Sequence, residues 1–138
     1  MHDTKERLSL LWIFALLNYL YARIVRSERF AIWRGAQRNI IDVDDVARIA
    51  TDLVTNEQAA GETINIANTR NCSIFEVVEC MQEVLGHQGI FDILESGAGY
   101  AIDTDRIQAS LSRCDVSFAA DYLHRTISKY YGHDPSAP

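Results

Sequence analysis

Residues 38–47 read Arg-Asn-Ile-Ile-Asp-Val-Asp-Asp-Val-Ala, and no other stretch constrains the fold so tightly. Ile40, Ile41 and Val43 form a short β-branched run suited to extended backbone. An arginine stands at its mouth and aspartates close it. Asp44 is of the residue type that accepts the free N–H groups of a first helical turn. Asp45, inside that turn, favours the positive end of the helix dipole. The expected junction is therefore an extended piece over 39–43, a cap at Asp44 and a helix over about 45–54. A strand that runs straight into a helix is a building step of α/β folds.

The flanks carry further signals. Residues 8–26 read as one helix, apolar around nearly its whole circumference until Arg23 and Arg26; such a helix needs cover on several sides. Residues 29–33 alternate like a strand, and Arg34-Gly35 fits a turn. Gly61 precedes an expected strand over 63–67. Ser73-x-x-Glu76 has the form of a capping box, opening a helix that ends at Leu85 with Gly86 as its carboxy-cap. Residues 89–94 read as a strand, and Asp103 or Thr104 as the cap of a short helix reaching about Leu111. Ser117 is expected to cap the last helix, which stops at Gly132. The composite is α/β, with about five helices and only a few short strands, too few for an independent sheet covered on both faces.

Charge and composition exclude several classes. The net charge is −6, which argues against nucleic acid as a partner. The charge is uneven: residues 1–38 hold seven Lys/Arg against three Asp/Glu, and residues 39–138 hold six against sixteen. The apolar run from Leu8 to Ala22 falls short of the roughly 20 residues that span a bilayer. Asn18, Tyr19 and Tyr21 make it less lipid-like, so it is expected as a core or interface helix. Asp3 and Glu6 weaken a reading as a signal peptide. Cys72, Cys80 and Cys114 are odd in number and lack a C-x-x-C pair. That argues against a disulfide framework or a zinc site and for reduced thiols in the cytoplasm.

Catalytic motifs are scarce. Gly97-x-Gly99 lacks the third glycine and the strand–helix context of a dinucleotide fingerprint. The sequence has neither a P-loop nor a G-x-S-x-G elbow. His2, His87, His124 and His133 are scattered, without metal-ligand spacing. Tyr19-x-x-x-Arg23 imitates a tyrosine–lysine proton shuttle in spacing, but it sits in the apolar helix and reads as packing. Arg38 is the one strong candidate. A guanidinium at a strand start is shaped to hold a diphosphate through parallel hydrogen bonds, and it is equally suited to a salt bridge with Asp42, Asp44 or Asp45.

The segment Arg38–Ala47 resembles the Arg-x-φ-φ-x-Val-x-Asp-φ-Ala element of the extended short-chain dehydrogenase/reductases, the NAD-dependent epimerase/dehydratase family. Further elements follow in the family's order. Ile64-Asn65-Ile66-Ala67 resembles its Tyr-Asn-Ile-Gly strand, and residues 73–78 the capped helix after it. Residues 103–107 resemble its Asp-x-Ser-Lys element, and residues 118–131 its terminal helix. Upstream, residues 18–33 resemble the helix and strand that lead into the arginine.

The resemblance implies the carboxy-terminal substrate-binding portion of an extended Rossmann-type enzyme. Residues 1–7 are then a disordered or tag-like start, residues 8–132 a single α/β domain and residues 133–138 a disordered tail. It further implies a diphosphate contact for Arg38 and a structural role at the strand–helix junction for Asp44 and Asp45. NAD(P) and a nucleotide-sugar belong to the complete family enzyme, with no cofactor site and no catalytic Tyr-x-x-x-Lys in this chain. The implied partner is a cofactor domain or a second copy, since the 63–67 strand would otherwise leave an open edge. Two departures stand out: Ala67 replaces the usual glycine, and residues 94–100 lack the family's second arginine. The competing expectation is a non-catalytic module that oligomerises or docks through the 8–26 helix.

Overall fold

The structure is a computed structural model that describes residues 15–56 and 60–133. The expected start and most of the tail lie outside the described residues, as does the first half of the apolar run. Residues 15–25 are helical (α1). The remaining elements are β1 (Phe30–Trp33), β2 (Gln37–Arg38), α2 (Val43–Thr55), β3 (Cys72–Ser73), α3 (Ile74–Leu85), β4 (Phe91–Leu94), α4 (Gln108–Arg113) and α5 (Tyr122–Tyr131). A 3-10 turn over Asp105–Ile107 precedes α4.

The strands make two small ladders. β1 and β4 pair in parallel, Phe30 opposite Phe91 through Trp33 opposite Leu94. β2 and β3 pair antiparallel, Gln37 opposite Ser73 and Arg38 opposite Cys72. The alternation expected over 29–33 is realised: Phe30 and Ile32 point inward while Ala31 and Trp33 face solvent. In its described part α1 is one-sided. Leu20 and Ile24 are fully buried, whereas Tyr19 and Val25 are exposed. Tyr19 is therefore not core packing; the Arg23 guanidinium lies over its ring at 5.1 Å, a surface cation–π contact. No helix among the described residues is long and apolar enough to cross a membrane.

Two cores result. The larger joins α1, β1, α3 and α5 around Ile24, Val77, Val78, Met81 and Ile127. The smaller gathers Ile49 and Leu53 of α2 with Ile107 and Val116, and Ile41, Ile64 and Ile66 pack on it. Ile40 belongs to the first core and Ile41 to the second. The extended chain between β2 and α2 thus divides them, one side chain to each face.

Several expected elements differ from the structure. The extended piece over 39–43 has its ladder two residues earlier, at Gln37–Arg38, and α2 starts at Val43. Asp42, not Asp44, is its cap: the Asp42 carboxylate accepts from the Asp44 N–H at 3.0 Å. Asp42 wins because its backbone stays extended while Asp44 already sits in the first turn. Residues 63–67 form no strand, although Ile64 and Ile66 pack on the smaller core. No neighbouring strand of this chain pairs with them among the described residues, and side chains take up part of the backbone instead. Arg106 donates to the Thr63 carbonyl at 2.9 Å, and Asn65 ties this segment to the Asp103 carbonyl at 3.1 Å.

The last helix starts at Tyr122 rather than after Ser117, following a turn whose Ala119 carbonyl accepts from the Tyr122 N–H at 3.0 Å. By contrast α3 begins and ends as its sequence dictates. Ser73 Oγ accepts from the Glu76 N–H at 3.1 Å, and Gly86 closes the helix in the left-handed region at φ 62°.

The burial pattern makes a plain forecast for stability. Met81 is fully buried in the larger core, so Met81→Ala should cost about 2–5 kcal/mol. Val54 is exposed on α2, and Val54→Ala should stay within about 0.5 kcal/mol. Urea midpoints at an unchanged slope will separate the two.

Candidate functional site

Arg38 occupies the last position of β2 and is exposed. Its guanidinium donates to the carbonyl of Gln37 at 2.7 Å and forms no ion pair among the described residues. The three carboxylates that might have braced it are engaged elsewhere. Asp42 accepts from Lys129 Nζ at 2.8 Å and from the Tyr130 hydroxyl at 2.6 Å. Asp44 is held by the same ammonium. Asp45 accepts from the Tyr122 hydroxyl at 2.7 Å and lies 3.4 Å from Arg48.

That cluster pins α5 to the first turn of α2. The Tyr122 hydroxyl is the pivot: it accepts from the Asp42 N–H at 2.8 Å while donating to Asp45. Burial opposes ionisation of Asp42, but the bonds from Lys129, Tyr130 and the Asp44 N–H outweigh it and hold the carboxyl below its ordinary value. Burial first, then the bond to Asp45, pushes the Tyr122 phenol well up. Bonds to Asp42 and Asp44 push Lys129 up as well. A phenol and an ammonium held protonated are no proton shuttles near neutrality. The shallow cleft of about 200 Å³ over these residues is lined by fixed ion pairs and reads as a structural clamp.

The other side of Arg38 is built from asparagines. The Asn39 side chain donates to the Asn68 carbonyl and to Asn71 Oδ1, both at 2.9 Å, and accepts from the Asn68 N–H at 2.9 Å. Asn68 in turn donates to the Ile40 carbonyl at 2.9 Å. The Asn39 N–H donates to the Tyr100 hydroxyl at 3.0 Å, and Asn71 bonds the Tyr100 carbonyl. Three separate segments are tied around the residue next to Arg38. Sequence reasoning missed this network; the recurrence of Asn at 39, 68 and 71 was its only visible signal.

The loop bearing Gly97 and Gly99 lies against the same strand. Gly97 has φ +90°, and a side chain there would strike the Ala36 backbone nitrogen at 2.6 Å. A side chain on Gly35 would strike the Gly97 carbonyl. These glycines allow loop and turn to touch, and the next regular element, at Asp105, lies well downstream. No helix N-terminus follows them directly, so Gly97-x-Gly99 is a packing turn and not a dinucleotide fingerprint.

No protein-family profile and no curated protein matches the sequence. Solved structures do match. A dTDP-glucose 4,6-dehydratase from Bacillus anthracis, in complex with NAD, superposes with a TM-score of 0.60 at 20% identity over 83% of this chain and 38% of its own. A GDP-mannoheptose C4 reductase from Campylobacter jejuni, with NADP bound, gives 0.59 at 18% over 86% and 44%. A UDP-N-acetylglucosamine 4-epimerase from Bacillus cereus gives 0.57 at 15% over 83% and 39%. The fold is that of the matched part of these enzymes. The chain spans about two-fifths of the length of these Rossmann-type enzymes. The resemblance read from the sequence is thus matched by a likeness of fold over most of this chain.

The clamp predicts a definite pH response. A carboxyl whose folded pKa is depressed contributes stability above its unfolded value near 3.9, and loses it as pH falls through the folded value. Asp42→Ala should cost about 1–2 kcal/mol at pH 7 from the cap alone, and Asp42→Asn less, since asparagine also caps. The gap between Asp42→Asn and wild type in thermal melts should close as pH drops below the Asp42 value. A gap that is constant down to pH 2 would contradict the clamp.

Proposed function

We propose that this chain is the substrate-binding part of a nucleotide-sugar epimerase, dehydratase or reductase. It serves a nicotinamide cofactor and an acid/base group contributed by residues outside this stretch. Alone it is inert toward nucleotide-sugars, because hydride transfer needs both. The observation that carries the reading is Arg38: an exposed guanidinium without an acidic partner among the described residues, on a strand end tied down by the Asn39 network. An arginine so placed has its fork available for a diphosphate. The brace role has lost its support, since Asp42, Asp44 and Asp45 are bonded to Lys129, Tyr122 and Arg48. Asp44 and Asp45 keep a structural part at the junction. The three free thiols fit a reducing cytoplasm.

Arg38→Ala should weaken nucleotide diphosphate-sugar binding roughly 10- to 150-fold, the range of a charge-assisted hydrogen bond. Arg38→Lys should restore only part of it, because a point charge cannot make the planar fork. The melting temperature should hardly move, since an exposed side chain bonded to its neighbour's carbonyl contributes little. Calorimetry and melting on the same protein decide: a large loss of melting temperature with unchanged affinity overturns the assignment.

The second expectation concerns assembly. The unladdered 63–67 segment and the exposed Tyr19 and Val25 of α1 call for cover by a cofactor domain or a second copy. Light scattering on the chain by itself should report association. A monomer at high concentration would count against it.

A further inference from the structure

We propose that the cleft where α1, α3 and α5 end together binds a small quaternary ammonium ion. The site is independent of the Arg38 reading. Its volume is about 380 Å³, toward the lower end of the range for small-ligand pockets. Val25 is the last residue of α1, Leu85 of α3 and Tyr131 of α5, and all three line it. The β2–β3 ladder meets the start of α3, so the cleft lies a whole helix away from Arg38, roughly 18 Å along the axis for twelve residues.

The meeting of the three ends is fixed by specific bonds. Both α1 and α3 close with a turn that ordinarily takes glycine at its left-handed position. In α3 that residue is Gly86, and the His87 N–H reaches back to the Gln82 carbonyl at 3.3 Å. In α1 the position falls to Ser27, at φ 54°, and the Glu28 N–H reaches the Arg23 carbonyl at 2.9 Å. A serine there is uncommon, and its hydroxyl has a use: Ser27 Oγ is hydrogen-bonded to His87 Nε2 at 3.0 Å. The two turns are thereby tied to each other. Tyr131 brings in α5, donating to Asn18 of α1 at 2.6 Å and standing against Tyr21 with ring centroids 5.3 Å apart.

A helix carries partial negative charge at its carboxy-terminus, and a basic side chain in the last turn commonly offsets it. Three such ends converge here, yet no lysine or arginine is among the described residues that line the cleft. The last turn of α3 has no basic residue. That of α5 has Lys129, which the clamp holds against Asp42 and Asp44. Arg26, just beyond α1, is not in the lining. The cleft therefore favours a cation from outside. Its walls also say which kind. No described carboxylate lines it to pair with a primary amine; instead it offers the Tyr21 and Tyr131 rings with Val25, Val84 and Leu85. Aromatic faces attract a quaternary ammonium, which needs no hydrogen-bond acceptor.

The test is an NMR titration of the chain with choline at about pH 8, where an ordinary imidazole is neutral and the His87 and His133 of the lining oppose no cation. The control is the uncharged isostere with carbon in place of nitrogen, which should bind about 10-fold more weakly. Val25 is exposed and accepts substitution. Val25→Lys puts the protein's own ammonium at the end of α1; it should weaken choline about 10-fold while holding or raising the melting temperature. Val25→Glu should do the reverse, tightening choline about threefold and lowering the melting temperature. Tyr21→Leu should weaken binding about fivefold, whereas Tyr131→Phe, which keeps the ring, should stay within about twofold. The proposal falls if choline does not bind, if the isostere binds as well, or if Tyr21→Leu changes nothing. It falls equally if the two Val25 variants shift affinity in the same direction, or if phosphatidylcholine vesicles bind the chain and free choline does not. None of these outcomes touches the assignment of Arg38.

Discussion

An extended piece of chain four residues long carries most of the architecture. From Asn39 to Asp42 the backbone runs between two hydrophobic cores with a ladder only at its start. Its polar groups must still be satisfied, since a buried N–H or C=O left unpaired is costly. Side chains from three distant places do this. Tyr100 accepts from the Asn39 N–H, Asn68 donates to the Ile40 carbonyl, and Tyr122 accepts from the Asp42 N–H. Because the bonds come from side chains and not from strands, each also fixes its own segment in place. The loop at 100, the bend at 68 and the last helix all take their positions from this one stretch.

The same stretch explains how the charges are shared out. Every acid at the start of α2 has a partner on α5 or in its own turn, and the tyrosine and lysine involved are held protonated. Lys129 and Arg48 are thereby committed to carboxylates of the clamp, whereas Arg38 at the strand end forms no ion pair among the described residues.

What the sequence made legible was local. Alternation at 29–33, the Ser73 cap and the Gly86 terminator are decided by a few adjacent residues, and the structure matches them. The errors came where a distant group decided the outcome. Asp42 and Asp44 are both good caps in isolation; the extended backbone at Asp42, fastened by Tyr122 80 residues later, settled the choice. Residues 63–67 have the alternation of a strand, but a strand also needs a neighbour, and a pattern of side chains cannot say whether one exists. Arg38 was found by its neighbours in sequence, while the asparagine network that holds it is scattered over three segments and carries no spacing signature.

The parallel pairing of β1 with β4 has a consequence for how the molecule is made. Its ion pair Arg34–Glu95 joins residues 61 apart in sequence, and Tyr131 bonds Asn18 across 113. A polypeptide leaving the ribosome therefore exposes α1 and β1 before their partners have been synthesised. Closing such long loops is entropically slow, and non-local pairings of this kind delay folding. The early half must wait, apolar face uncovered, until the last helix emerges. The pace of folding is then set by closure of these long loops and not by the local helices.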